Sequence, residues 1–154
     1  MDGAENRFTE IPLNKKIPLA KRHEKLIRSA NELLMEQGNL AFVEQFFSTN
    51  YVVHAANKVY KGHDFIRKWV KQLRAAILDL RVVDVAFLLS KGDKIVWQRA
   101  LSGTHKKSLR GIPASERRVK WTEMMVTRVD GDKIAEEWSV SDLAGQLMLK
   151  LPRK

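Results

Sequence analysis

GDKIAEEWSVSDLAGQ, residues 131–146, is the stretch whose reading decides the fold. It opens on a hairpin signal at Asp130-Gly131 and continues as a strand over Lys133–Ser141. Side chains two apart on a strand share a face, so Ile134, Glu136, Trp138, Val140 and Asp142 are expected to point one way. Upstream, GTHKKSLRGIPASERRVKW (103–121) joins two more strands, Lys94–His105 and Arg117–Val129. The first aligns Trp97, Arg99, Leu101 and His105; the second aligns Val119, Trp121, Glu123 and Met125. Charged and aromatic side chains gathered on one face of a sheet indicate a pocket.

The elements before these strands are helical. From Leu19 the positions Leu26, Ile27, Ala30, Leu33 and Leu34 keep helical spacing, with Pro18 in the first turn and Gly38-Asn39 as the stop. Asn39 caps a short second helix carrying Leu40, Val43, Phe46 and Phe47, and TNYVVHA (49–55) reads as a brief strand. A third helix opens at Gly62-His63-Asp64. Phe65, Trp69, Leu73 and Ala76 lie along one side of it, beside Ile66, Val70 and Ile77, while Arg67, Lys68, Lys71 and Arg74 read as a solvated face. The pattern then changes to strands from Leu80 to Ser90 and onward, joined by turns at Gly92 and Gly131. Helices first and a meandering antiparallel sheet second define an α+β fold. Residues 1–18, with two prolines and no period, read as an extended arm, and residues 19–154 as a single domain.

Composition removes several function classes. The 154-residue chain has no cysteine, which excludes disulfides and thiolate chemistry. Its polar, acidic start is unlike a signal peptide, and no apolar run approaches the ~20 residues of a membrane span. A soluble cytoplasmic protein without a membrane partner is the expectation. The net charge of +10 is spread over four separate basic stretches without aromatic interleaving, so it points to solvation or an anionic small substrate and not to nucleic acid. His23, His54, His63 and His105 lack metal-site spacing, and neither a phosphate loop nor a nucleophile elbow is present. No metal and no cofactor are expected.

Each polar candidate carries two readings. Asp142, where a strand gives way to a helix, is either an N-cap or a general acid/base that apolar walls have stripped of solvent. His105 is either a satisfied edge histidine or a partner of that acid; His54 has the same alternatives. Arg99 and Glu136 form a structural bridge across strands, or Arg99 pairs with Glu123, or the arginine holds a substrate oxygen. Trp97, Trp121 and Trp138 are core residues whose indole N–H groups need partners.

YVVH (51–54), ILDLR (77–81), GTH (103–105), LRGIPASERRVKWTE (109–123) and DGDKIAEEWSVSDLAGQL (130–147) together resemble the SnoaL-like polyketide cyclase or ester cyclase family of the nuclear transport factor 2-like superfamily. The resemblance runs from about Lys25 to Leu149. It implies a cone-shaped α+β barrel, its helices packed on a curved antiparallel sheet that encloses a pocket, and a homo-oligomer, dimer or tetramer, built through the sheet. Family cyclases close a polyketide ester ring by intramolecular aldol condensation without cofactor, using an aspartate that Asp142 matches in Trp138-x-x-x-Asp142. His105, His54 and Arg99 match polar pocket positions. The chain departs from the family's common GIPPTGR at residues 111–117 and from its QLG ending at residues 146–148.

The implied function is cofactor-independent lyase or isomerase chemistry. Asp142 and His105 are its catalytic candidates, and His54, Trp97, Arg99, Leu101, Trp121, Glu123, Glu136 and Trp138 line the substrate, which is small, carbonyl-containing and polyketide-like or anionic. A non-catalytic small-molecule binder is the alternative from another class. Epoxide hydrolysis, with two acids bracketing Arg99, is a third.

Overall fold

A computed structural model describes residues 17–152, so most of the arm expected over residues 1–18 lies outside the described residues. Helix α1 (Leu19–Ala30) buries His23, Ile27 and Ala30 and runs without a break into a π-helical turn, Asn31–Glu36. The turn ends at Gly38, whose φ of +68° suits a residue without a side chain. Arg74 closes this end: its Nη1 donates to the Met35 carbonyl at 2.8 Å and also to that of Glu36. A residue expected on a solvated face thus acts as a helix cap from another element.

A 3₁₀ turn (Leu40–Phe42), opened by the Asn39 side chain accepting from Ala41 N–H, leads into the single turn α2 (Val43–Phe46). Strand β1 (Phe47–Ala55) then hairpins into β2 (Lys58–Lys61). Sequence inspection passes over β2 because its turn, Ala56-Asn57, adopts φ values of +50° and +65° without a glycine to announce them. Helix α3 (Gly62–Ala76) crosses the sheet, burying Ile66, Val70, Leu73 and Ala76. Strands β3 (Ile77–Lys91), β4 (Lys94–His105), β5 (Arg118–Asp130) and β6 (Lys133–Ser141) form a meander closed by α4 (Leu143–Leu149).

The sheet order is β2-β1-β6-β5-β4-β3. Neighbours run antiparallel except β1 and β6, which pair in parallel and so carry the early helical half onto the meander. Helices α1 and α3 cover the concave face, where Leu34, Val43, Phe46, Tyr51, Leu73, Leu101 and Trp121 join one core. Curvature comes from irregularities: the β3–β4 register shifts three times, and Asp79 in β3 has a φ of +57°.

Two features of this frame bear on the site. Gly103 lies where β3 bends over β4, and a Cβ there would meet Ile77 Cγ2 and come within 2.7 Å of the Leu78 carbonyl oxygen. The glycine of the GTH segment therefore permits the close crossing of two backbones. In β6, Arg128 pairs with Glu136 but the next pair is Val129 with Ile134, so Ala135 is the additional residue of a bulge. Beyond it the alternation is reversed: Ile134, Ala135 and Glu137 are buried while Trp138 and Val140 are exposed. Ile134 and Glu136 consequently do not share a face, contrary to the simple alternation.

Gly103→Ala is expected to lower stability by roughly 1–3 kcal/mol, the usual cost of forcing a methyl into packed structure, read as a fall in the midpoint of thermal unfolding.

Candidate functional site

The helices and the concave sheet face enclose a cavity of about 1080 Å³. Strand alternation delivers Trp97 and Arg99 from β4 and Glu123 and Met125 from β5; the bulge delivers Glu137 from β6; Tyr51 and Val53 come from β1. Ile27, Asn31 and Leu34 close it from the helical side, and Lys107–Arg110 of the long loop form part of its rim. Arg110 lies 4.8 Å over the Trp69 ring, holding that loop to α3.

Two polar assemblies break the apolar wall. In the first, Arg99 Nε donates to Glu123 Oε1 at 2.9 Å, with Nη2 2.7 Å from the same oxygen. Arg99 Nη1 donates to Asn31 Oδ1 at 2.7 Å, and the Asn31 amide donates back to the Ile27 carbonyl at 2.8 Å. Trp121 Nε1 reaches Glu123 Oε2 at 3.3 Å. A π turn widens the helix by one residue per turn, and here it sets Asn31 against the guanidinium. Arg99 keeps further N–H donors on Nη1 and Nη2 for a ligand oxygen.

The second assembly is a chain of donors ending on one carboxyl. Trp97 Nε1 donates to Thr127 Oγ1 at 2.8 Å, Thr127 Oγ1 lies 2.5 Å from Glu137 Oε2, and Tyr51 Oη lies 2.9 Å from Glu137 Oε1. Burial pushes the Glu137 carboxyl above its ordinary value; the bonds from Thr127 and Tyr51 and the Arg99 charge oppose that rise, and the Glu123 charge adds to it. Burial and the same carboxyl push the Tyr51 phenol well above 10.

Asp142 apart, the positions nominated from sequence divide into three groups. Trp97, Arg99 and Glu123 line the cavity. Leu101, Trp121 and His105 are buried on the same strand faces but stand outside the cavity wall, packed in the surrounding core. His54, Glu136 and Trp138 occupy the opposite face of the sheet: the His54 ring stacks on Trp138 at 5.1 Å, and its Nε2 lies 2.8 Å from Glu136 Oε2. Arg128 Nε donates to the other Glu136 oxygen at 3.1 Å. The bond to His54, helped by Arg128, holds the Glu136 carboxyl below its ordinary value against the effect of burial. Arg99 therefore bridges to Glu123, not to Glu136.

Asp142 is exposed and outside the cavity lining, although Ser141 and Leu143 on either side of it contribute to the wall. Its carboxylate accepts from Thr122 N–H at 2.7 Å and from the Gln146 amide at 3.3 Å, bracing β5 against α4. It occupies the N-cap position of α4 without bonding that helix's own first-turn N–H groups.

Tyr51, Asn31, Thr127 and Glu137 escaped the sequence reading. Asn31 had a signal, since it falls on the apolar stripe of Ile27, Ala30 and Leu34. Glu137 had none, because its entry depends on the bulge. Among the described residues no group of three or more His, Asp or Glu side chains converges as metal ligands do, and no helix is long and apolar enough to cross a membrane.

A curved sheet wrapped on helices around an internal polar-edged cavity is the nuclear transport factor 2-like fold. The SnoaL-like polyketide cyclase family matches residues 25–148. The chain belongs to that family. A candidate polyketide cyclase of Acidithiobacillus ferrooxidans, 22% identical, shares the fold over 87% of this chain and 97% of its own, with a TM-score of 0.73. IdmH, a candidate polyketide cyclase of Streptomyces antibioticus, is 18% identical over 81% of this chain and 95% of its own, TM-score 0.67. A SnoaL-like polyketide cyclase of Agrobacterium tumefaciens is 23% identical, covering 82% and 96%, TM-score 0.66. Among curated proteins no match is found.

His105 is fully buried, and among the described residues neither ring nitrogen finds a hydrogen-bond partner. Burial lowers its pKa from 6.5; the nearby Lys107 backbone offsets part of the effect without forming a regular hydrogen bond to the ring. The unfolded chain then binds the proton first as pH falls, so stability is lost from about 6.5 down to the lowered folded value. His105→Leu is expected to remove this loss, leaving thermal stability at pH 7 unchanged or higher, because no bond is broken; paired melting curves across pH 5–8, a range of roughly the histidine titration, check it.

Proposed function

We propose that this protein is a cofactor-independent cyclase acting on a small carbonyl-containing, polyketide-like substrate inside the cavity. The observation that supports this most is the placing of Arg99: a guanidinium tethered by Glu123 and Asn31, facing an apolar space, with donors to spare. Removing a proton beside a carbonyl puts negative charge on the carbonyl oxygen. A fixed cation in a dry site stabilises that charge without reorganising. The attacking carbon and the acceptor carbonyl of one chain must also be folded together, and the apolar wall of Leu34, Val53, Trp97 and Met125 supplies that confinement.

The family resemblance assigns proton transfer to Asp142. Because Glu123 and Glu137 are the carboxyls that face the cavity, we assign proton transfer to that side of the site and a bracing role to Asp142. The outer sheet face presents Trp138, Val140 and Met124, with Val140 74% exposed and paired to Met124, as the surface for a second copy. Native mass spectrometry is expected to report a species at twice the 17.7 kDa chain mass; a monomer alone at micromolar concentration contradicts this.

With short poly-β-ketone esters as probes, the wild type is expected to yield a ring-closed product. Arg99→Lys, which keeps the charge but loses the planar fork, is expected to lose turnover about 100-fold, and Asp142→Asn to retain it within a few fold. Saturable binding without product identifies a carrier instead, and diol formation from an epoxide panel identifies hydrolysis. Loss of turnover in Asp142→Asn with an intact fold returns the proton to that residue.

A further inference from the structure

Among the described residues of the cavity wall, the hydrogen-bond partners of the Glu137 carboxyl distinguish its two oxygens. Trp97 Nε1 can only donate, so Thr127 Oγ1 accepts from it and has a single hydrogen, which it gives to Glu137 Oε2. That leaves Oε1, which accepts from the Tyr51 hydroxyl at 2.9 Å, as the oxygen on which a proton would sit in the neutral form. One line between two oxygens holds one hydrogen. When Glu137 is ionised, Tyr51 donates to it; when Glu137 is neutral, it donates to Tyr51, and the phenol hydrogen must turn elsewhere. Tyr51 is itself part of the cavity wall, so a ligand in the cavity lies beside the residue whose phenol hydrogen is freed.

We propose that Tyr51 and Glu137 act as one proton-donating unit, in which a neutral Glu137 carboxyl donates to the Tyr51 oxygen and turns the phenol hydrogen onto an oxygen of the bound ligand. This deepens the cyclase reading and rests on it for the identity of that oxygen, the carbonyl that becomes an alkoxide on ring closure. In the step, the Tyr51 hydrogen passes to the substrate oxygen as the Glu137 proton passes from Oε1 to Tyr51 Oη. The resulting carboxylate is held by Thr127 and Tyr51. The substrate carbon gives its proton to the carboxylate of Glu123, the other acid of the cavity wall; once the product has left, that proton returns through solvent to Glu137, so both carboxyls end as they began and ring closure remains an isomerisation.

The charged and titratable groups that face Glu137 come from three strands: Tyr51 on β1, Arg99 on β4 and Glu123 on β5. Burial and the Glu123 charge favour the neutral acid; Arg99 favours its anion, which is the form left after donation. An apolar site that keeps a carboxylic acid neutral makes it a hydrogen-bond donor at working pH.

Glu137→Gln reproduces the neutral form, because its amide nitrogen donates to Tyr51 while its oxygen accepts from Thr127, yet it has no proton to transfer. Tyr51→Phe keeps the ring and removes the hydroxyl. The chain has two tyrosines, so a sample labelled with ¹³C at the phenol carbon gives separate signals for Tyr51 and Tyr60. The Tyr51 signal is expected to move with pH above the ordinary glutamate value of 4.5, and to be flat in Glu137→Gln. A Tyr51 signal that is flat in the wild type, or that titrates equally in Glu137→Gln, overturns the proposal. In the ring-closure assay both variants are expected to lose about 100-fold or more in turnover, the usual worth of a positioned acid, with unfolding midpoints near wild type. Turnover that survives in Glu137→Gln overturns the relay and leaves the cyclase reading standing. If the wild type closes no ring, the cyclase reading falls, and the titration alone decides whether the pair exists.

Discussion

One additional residue in β6 determines the chemistry of the cavity. Without Ala135 as a bulge, plain alternation from Ile134 would turn Glu136 inward and Glu137 outward. With it, Glu137 meets Tyr51 and Thr127 inside while Glu136 meets His54 and Arg128 outside. Each carboxyl is then perturbed in the direction its side of the sheet dictates: upward by burial within, downward by a histidine and an arginine without. Two adjacent and chemically identical side chains are thus shifted in opposite directions, the interior one upward and the exterior one downward.

The bulge also explains why some of the site was legible in the sequence and some was not. On β4 and β5 the ladder is unbroken from Lys94–Arg128 to Thr104–Arg118, and there strict alternation correctly aligned Trp97 and Arg99 with Glu123. On β6 the alternation crosses a break that nothing in the letters announces. A bulge marked by glycine can be suspected from sequence; one marked by alanine cannot. The helical half was legible for a related reason, since apolar periodicity survives small changes in winding. The π turn at Asn31–Glu36 kept the stripe while moving Asn31 against Arg99.

Asp142 shows that a place in a sequence pattern does not fix what a side chain touches. It lies in the family pattern, between two residues of the cavity wall, yet its carboxylate is occupied by Thr122 N–H and the Gln146 amide on the solvent side. The segment it braces does reach the pocket through Ser141 and Leu143, so the final helix shapes the cavity without placing that acid inside it.

The two polar assemblies of the cavity differ in what they can do, and the difference lies in their protons. Arg99, Glu123 and Asn31 form a set in which the guanidinium cannot give up its proton, so it can hold negative charge on a ligand but cannot move a proton to it. Glu137, Tyr51 and Thr127 form a set whose central group can be neutral, so it can move one. Carbonyl chemistry of the proposed kind needs both, because charge that develops on oxygen must first be stabilised and then neutralised. The sheet brings the two sets within electrostatic reach of each other, since Arg99 acts on both Glu137 and Tyr51. In the proposed reaction, the cation that holds charge on the ligand would therefore also stabilise the carboxylate that remains once the proton has gone.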